Sequence, residues 1–259
     1  MAALILGACK KAEELKYDSH DNIYLDFQGT QRDSILYTFA YEPARAADTQ
    51  YIPVRISGIR QGVDRKFILR AITDSSTALP GTHYKALQDY YVMPKDQGFV
   101  NVPVILYNTD PALEEKSVTL KFKLYATDDF SVNLPTLISG KLVFSNKLER
   151  PDWWGMWFGD YYSRAKHQFF LITTGQTYLS TNGLDAPKNL YFVSLVTSFL
   201  NDPAAWISKN QDRGYVLEPR PDGDFDFYNT ANPSKKILYH LDQQAGEFFF
   251  IDENGAEVN

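Results

Sequence analysis

Between Ile23 and about Ser145, apolar residues recur at every second position. Ile35, Tyr37, Phe39 and Tyr41 share one side of a segment, Ile52, Val54 and Ile56 alternate with Pro53 and Arg55, and Val118, Leu120, Phe122 and Leu124 alternate with Thr119, Lys121 and Lys123. Successive side chains of a strand point to opposite faces, so a period of two marks strands that bury one face. Further strands are expected at residues 24–27, 66–73, 90–93, 99–106 and 137–144, divided by clusters of Gly, Pro, Asn and Asp. Seven or eight short strands with no helical period between them predict an antiparallel immunoglobulin-like β-sandwich, with a closed barrel as the second choice.

The pattern changes at residues 147–152, where a charged stretch ends in Pro151 and Asp152 can cap a helix. Trp153, Trp157, Tyr161 and Ala165 then recur every four residues, and Trp154, Phe158 and Phe169 widen the stripe. That spacing predicts one amphipathic helix over 153–172, stopped at Thr174-Gly175. A second helix is expected over 189–200, and a third where Asp202 can cap and Pro203 fits the first turn. Residues 237–241 and 247–251 read as a hairpin. The expected fold is thus mainly β, with a sandwich over 23–147 and a smaller, helix-rich α+β domain over 148–259. Residues 10–22 read as a tether, because Asp18, Ser19, His20, Asp21 and Asn22 are too hydrophilic to bury.

Composition narrows the function. With 44% hydrophobic and 22% charged residues over 259 positions, both halves can bury a core. A net charge of -6 with no cluster of Lys and Arg excludes a nucleic-acid partner. Cys9 is the only cysteine, so neither an intrachain disulfide nor a thiolate metal site can form. It follows the apolar run Leu4-Ile5-Leu6-Gly7-Ala8, and Leu6-Gly7-Ala8-Cys9 resembles a bacterial lipobox, whose cysteine is acylated. The run is short and has no basic residue before it, so residues 1–9 are expected to be the end of a signal that starts further upstream. Lys10-Lys11-Ala12-Glu13-Glu14 is similar to the Lys-then-acidic export signal of Bacteroidetes surface lipoproteins. The resemblance implies a lipid anchor in the outer membrane, with the protein facing the cell exterior.

Catalytic signatures are absent: there is no Gly-x-Ser-x-Gly, no His-Glu-x-x-His and no phosphate-binding glycine loop. The four histidines, His20, His83, His167 and His240, are scattered singly. Ser163-Arg164-Ala165-Lys166 matches the Ser-x-x-Lys of β-lactamases without its companion motifs, and Lys166 reads as a wet helix surface. Asp222, Asp224 and Asp226 are spaced to offer three oxygen ligands to Ca²⁺, the one cofactor considered, although Phe227 stands where an EF-hand needs Gly. Asp128-Asp129 is a sparser acidic pair. Within the aromatic stripe, which reads mainly as core, Trp154 and Tyr162 flank the centre and are the expected ligand contacts.

Thr77-Ala78-Leu79-Pro80-Gly81-Thr82-His83-Tyr84, followed by an aromatic strand and Val102-Pro103-Val104, resembles the turn of Calx-beta sandwiches, with His83 in place of an aspartate. Tyr24-Leu25-Asp26-Phe27, Ser75-Ser76-Thr77-Ala78-Leu79-Pro80-Gly81 and Trp157-Phe158-Gly159-Asp160-Tyr161-Tyr162-Ser163-Arg164-Ala165-Lys166 resemble a Bacteroidetes lipoprotein family labelled a domain of unknown function, over nearly the whole chain. Its members look like accessory lipoproteins beside SusC/SusD-type uptake systems, which implies nutrient capture, a transporter partner and a glycan or peptide ligand. Asp33-Ser34-Ile35 also fits the short O-glycosylation tripeptide of such bacteria. The expected function is therefore a non-catalytic surface lipoprotein. A surface hydrolase using carboxylates paired by folding, and a structural spacer, are the rivals. Expressed with its full upstream leader, a Cys9→Ala protein is expected to leave the membrane fraction and to lack the lipid mass of the parent; continued fractionation with membranes would remove the anchor.

Overall fold

The computed structural model describes residues 20–27 and 33–259, so Cys9, the lipobox and most of the tether lie outside the described residues. The first half is a sandwich of two sheets. One holds β1 (Asn22–Leu25), β3 (Ala47–Ser57) and β6 (Phe99–Tyr107) in the order β1-β3-β6. The other holds β2 (Ser34–Thr38), β4 (Arg65–Ala71), β5 (Tyr91–Met93), β7 (Val118–Tyr125) and β8 (Ser139–Ser145) in the order β2-β8-β7-β4-β5. All eight expected strands are present, within a few residues of their expected bounds. Pairing is antiparallel except for β2 with β8, which run parallel with Ser34 opposite Lys141 and Thr38 opposite Ser145. The strand order is that of an immunoglobulin-like sandwich.

The period-two residues become the core. Ile52 and Val54 of β3 are buried, as are Val102 and Val104 of β6 and Leu120, Phe122 and Leu124 of β7. Ile52 is paired with Val102 across the β3–β6 ladder, so the apolar sides of the two strands stay in register.

Asp21 corrects the expected tether. It is buried, with Oδ2 accepting from Arg65 Nη1 at 2.6 Å and Oδ1 accepting from the Ile59 amide at 2.9 Å. The Arg65 guanidinium lies 4.4 Å from the centre of the Phe130 ring. Hydrophilic residues can be buried when every charge finds a partner, and both partners here come from distant positions that a local reading does not see. Gly58 leaves room for this pair. A Cβ there would lie 1.9 Å from Asp21 Oδ1, and its φ of +151° is one that other residues rarely adopt.

The second half departs from its expected helix. Instead of one helix over 153–172 there are two, α1 (Trp154–Phe158) and α2 (Arg164–Thr174). Gly159 takes a φ of +81° and ends α1, and the extended Ser163 starts α2, its Oγ accepting from the Lys166 amide at 3.2 Å. The stripe survives the break because α1 and α2 face one core. α3 (Ala186–Asn201) and α4 (Pro203–Lys209) match the later expectations, with Asp202 capping α4 through the Ala205 amide at 2.8 Å. The remaining strands are β9 (Tyr215–Pro219), β10 (Phe225–Asn229), β11 (Asn232–Asp242), β12 (Glu247–Ile251) and β13 (Glu257–Val258). They form an antiparallel sheet in the order β13-β12-β11-β10-β9, of which the sequence showed only the β11–β12 hairpin.

Asp21→Ala would leave the Arg65 charge buried without its partner. The expected cost is about 3–5 kcal/mol in denaturant unfolding, and Asp21→Ala with Arg65→Met is expected to recover most of it.

Candidate functional site

The cores of the two halves meet at α2. Phe169 and Phe170 are fully buried, and the second core also takes in Ala40 and Leu148 from the sandwich end and the connecting segment. Glu114, in the turn before β7, accepts from Arg164 at the start of α2 and from Lys235 of β11, both at 3.2 Å. Lys235 Nζ also donates to the Asp110 carbonyl at 3.1 Å. These groups are largely buried, where an ion pair is screened far less than on the surface.

Two cavities of similar volume touch α2, through Lys166 and His167 respectively. The first, about 630 Å³, lies in the second half between α3 and the C-terminal sheet; Trp157, Phe158, Val193, Tyr239 and Phe248 contribute its apolar wall. Lys166, Thr197, Asn201 and Glu247 add polar groups. The Trp157 indole is fixed by donation from Nε1 to the Ser180 carbonyl at 3.0 Å. The second cavity, about 620 Å³, is a cleft between the halves, bounded by the ends of β2 and β8, the segment 147–151, α2 and Tyr178. Both volumes fall within the range of small-molecule sites.

The expected ligand contacts divide. Trp154 is 0% exposed, its Nε1 donates to the Tyr161 carbonyl at 3.0 Å, and its ring stacks on Phe158 at 4.7 Å. It therefore offers no face to a ligand, because the break at Gly159 folds α2 back over the stripe. Tyr162 is half-buried beside it, with its hydroxyl 3.2 Å from His167 Nδ1. Burial raises the Tyr162 pKa, so the hydroxyl keeps its proton. His167, which the sequence left as an isolated histidine, is 2% exposed and lines the cleft. Burial lowers its pKa to about 4, so the ring is neutral at pH 7.

Asp222, Asp224 and Asp226 do not converge on a point. Asp222 accepts from Arg220, with 3.2 Å to its Nε. Asp224 Oδ2 lies 2.8 Å from His240 Nδ1, and that hydrogen bond holds its carboxyl below the usual range. Burial pushes the Asp226 carboxyl up, but Lys236 at 2.8 Å and Arg220 at 2.9 Å outweigh it and hold the pKa low. Only Asp226 lies on β10; Asp222 and Asp226 meet cations, and Asp224 meets a histidine, of the same chain. Among the described residues no group of three or more His, Cys, Asp or Glu could hold a metal ion. Asp129 is likewise engaged, accepting from the Lys66 amide at 2.7 Å. Ser163 serves as the cap of α2, and Lys166 Nζ donates to the Asn259 carbonyl at 2.5 Å, so the Ser-x-x-Lys pair forms no nucleophile and base. His83 is buried; the Leu79 amide donates to Nδ1 at 2.9 Å and Nε2 lies 2.8 Å from Asp110, which makes it a brace for the 77–84 turn.

A family model described as a domain of unknown function, DUF4843, matches residues 17–176. All three segments that carried the resemblance lie inside that span, but residues 177–259 lie outside it, so the likeness covers less than the sequence reading expected. Among solved structures, the Calx CBD1 domain matches at 9% identity and a TM-score of 0.36, covering 49% of this chain and 97% of its own. A protein of unknown function from Bacteroides ovatus matches at 17% identity and a TM-score of 0.37, over 47% of this chain and 43% of its own. A two-domain protein of unknown function from Bacteroides fragilis matches at 14% identity and a TM-score of 0.32, over 48% of this chain and 45% of its own. The chain thus spans under half the length of these two Bacteroides proteins. No curated protein matches the chain.

The neutral His167 makes stability depend on pH. The unfolded ring takes up a proton near pH 6.5 and the folded ring only near pH 4, so this contribution is complete above pH 6.5 and falls away as pH drops between those values. Stability is expected to decline by a few kcal/mol across that window. In His167→Phe the part of the decline owed to this ring is expected to vanish, as measured by urea unfolding at a series of pH values.

Proposed function

The chain belongs to the DUF4843 family, a domain of unknown function, and from that premise we propose that it is a non-catalytic binding protein held at the outer membrane by a lipid on Cys9. In this reading it works beside a SusC/SusD-type uptake complex and takes a peptide or glycan ligand into the cavity of its second half. The observation that carries the reading is the cavity itself, about 630 Å³, whose lining mixes aromatic and aliphatic side chains with polar groups in about equal measure. Such a lining can bury the apolar face of an amphipathic ligand and fix its orientation through hydrogen bonds. The non-catalytic part is supported by the uses already made of the chemical groups: Ser163 caps a helix, and Asp222, Asp224 and Asp226 are engaged by Arg220, His240 and Lys236. The anchor and the transporter partner rest on the lipobox, the Lys-then-acidic segment and the family resemblance.

Extraction of the protein from its own membrane in mild detergent, followed by mass analysis, is expected to recover a lipid on Cys9, a SusC/SusD-type partner and a retained ligand. A solitary protein with neither partner nor ligand would count against the proposal. Thr197, exposed at the cavity edge, gives a specific control. Thr197→Trp is expected to abolish the retained ligand while leaving the melting temperature unchanged.

A further inference from the structure

The chain enters the sandwich at the end that faces away from the second half. β3 runs between the two ends: Ala47 lies near the junction, where Asn232 Nδ2 donates to the Pro43 carbonyl at 3.4 Å, and Ser57 is ten positions further along. At ~3.3 Å per residue of strand, the ends are about 33 Å apart. Asn22 of β1 is paired with Ser57, so Asp21 and the residues before it join the fold at the far end.

That end carries exposed apolar residues. The loop joining β3 to β4 contains Ile59 and Val63, each 59% exposed. Its base is held by the groups that fix the entering chain: Asp21 Oδ1 accepts from the Ile59 amide at 2.9 Å, and Arg65 Nη2 donates to the Ile59 carbonyl at 3.4 Å. Its other side is tied to the turn between β5 and β6, where the Lys95 amide donates to Asp64 Oδ1 and the Asp96 amide to the Gln61 carbonyl, both at 2.8 Å. The loop is thus a fixed feature beside the entry point. Arg60 and Lys95 in these two turns are balanced by Asp64 and Asp96, all four exposed, and the neighbouring turn adds Asp128 and Asp129 beside Lys66. No excess of positive charge draws this end to an anionic surface. Exposed aliphatic side chains in such a setting fit the boundary between lipid headgroups and acyl chains.

Cys9 precedes Asp21 by twelve positions, which span at most about 40 Å when fully extended. The β3–β4 loop lies where that span begins. Leu184, Leu190 and Tyr191, the exposed apolar residues on and before α3, would meet the same surface only if nearly the whole span ran back along the sandwich. We infer, on the basis of the Cys9 anchor of the proposed function, that the β3–β4 loop is a membrane-contact surface: Ile59 and Val63 sit at the headgroup boundary of the bilayer that holds the anchor, and the cavity of the second half is held away from it. Two aliphatic side chains bind a bilayer weakly by themselves. The anchor makes their contact intramolecular, so a high effective concentration replaces intrinsic affinity.

The single cysteine allows a direct test. The full 259-residue chain is coupled through Cys9 to a maleimide-headgroup lipid in phosphatidylcholine vesicles with brominated acyl chains, and coupling is confirmed by mass. Bromine quenches a tryptophan only at close range. Ile59→Trp is expected to lose most of its added emission relative to vesicles without bromine, and Leu184→Trp, at a residue 88% exposed in the second half, to lose none. Val63→Asp in the Ile59→Trp protein is expected to restore the emission, and raised salt to leave the quenching unchanged, because the contact is apolar. All these positions are exposed, so the melting temperature is expected to match that of the parent. Unquenched emission at position 59, equal quenching at 59 and 184, or quenching at 184 alone would overturn the contact. The coupling bypasses acylation in the cell, so a failure on the vesicles removes the loop contact and leaves the anchor standing, whereas a Cys9 without lipid in the membrane extraction removes the anchor and the contact with it.

Discussion

Phe169 of α2 packs against Phe199 of α3, Phe227 of β10 and Phe250 of β12, with ring centroids 5.0, 5.8 and 4.5 Å apart. The rest of the second half depends on this contact. A five-stranded antiparallel sheet with an aromatic face cannot stand alone in water; burying each such ring is worth a few kcal/mol, and α2 and α3 supply the opposing layer. The start of the same helix is tied to the sandwich through Arg164 and Glu114. One helix therefore closes a core and sets the angle at which the two halves meet, so the cleft is a product of its position.

Both ends of α2 are fixed, the first by a group far away in the chain and the last by a local turn. Glu253, in the turn between β12 and β13, accepts from the Arg164 amide at 2.5 Å and from the Ala165 amide at 3.2 Å, which satisfies free donors of the first turn beside Ser163. The last turn is closed by Gly175, with a φ of +66° and its amide on the Leu171 carbonyl at 2.9 Å. His167 sits between these fixed ends with its ring inside an aromatic box. A side chain so constrained keeps its ring in one orientation.

The sandwich was legible because each of its strands carries its own pattern. Ile52, Val54 and Ile56 announce a strand whatever their partner is. The α1–α2 break was less legible: Trp153, Trp157, Tyr161 and Ala165 keep helical spacing across it, and only Gly159 hints at a turn. That misreading bears on the expected ligand contacts. In one continuous helix Trp154 would flank a packed stripe; with α2 folded back it lies in the core, and His167 takes a place on the cleft wall. The Asp222–Asp226 run shows the same limit, since Lys236 and His240 reach its carboxylates only once β10 and β11 pair. Asp21 looked too polar to bury because its partner, Arg65, is 44 positions away.

The sequence by itself determined the class of the first half, the cap of α4 and the family likeness, all of which are written in short windows. The parallel β2–β8 pair, the burial of Asp21, the sheet around β9 and β10, and the cleft with its histidine were decided by the tertiary structure alone. The physical reason is range. Periodicity and capping act between residues a few positions apart, while a cavity wall, a buried ion pair or an unpaired nitrogen is defined by residues that only the folded chain brings together.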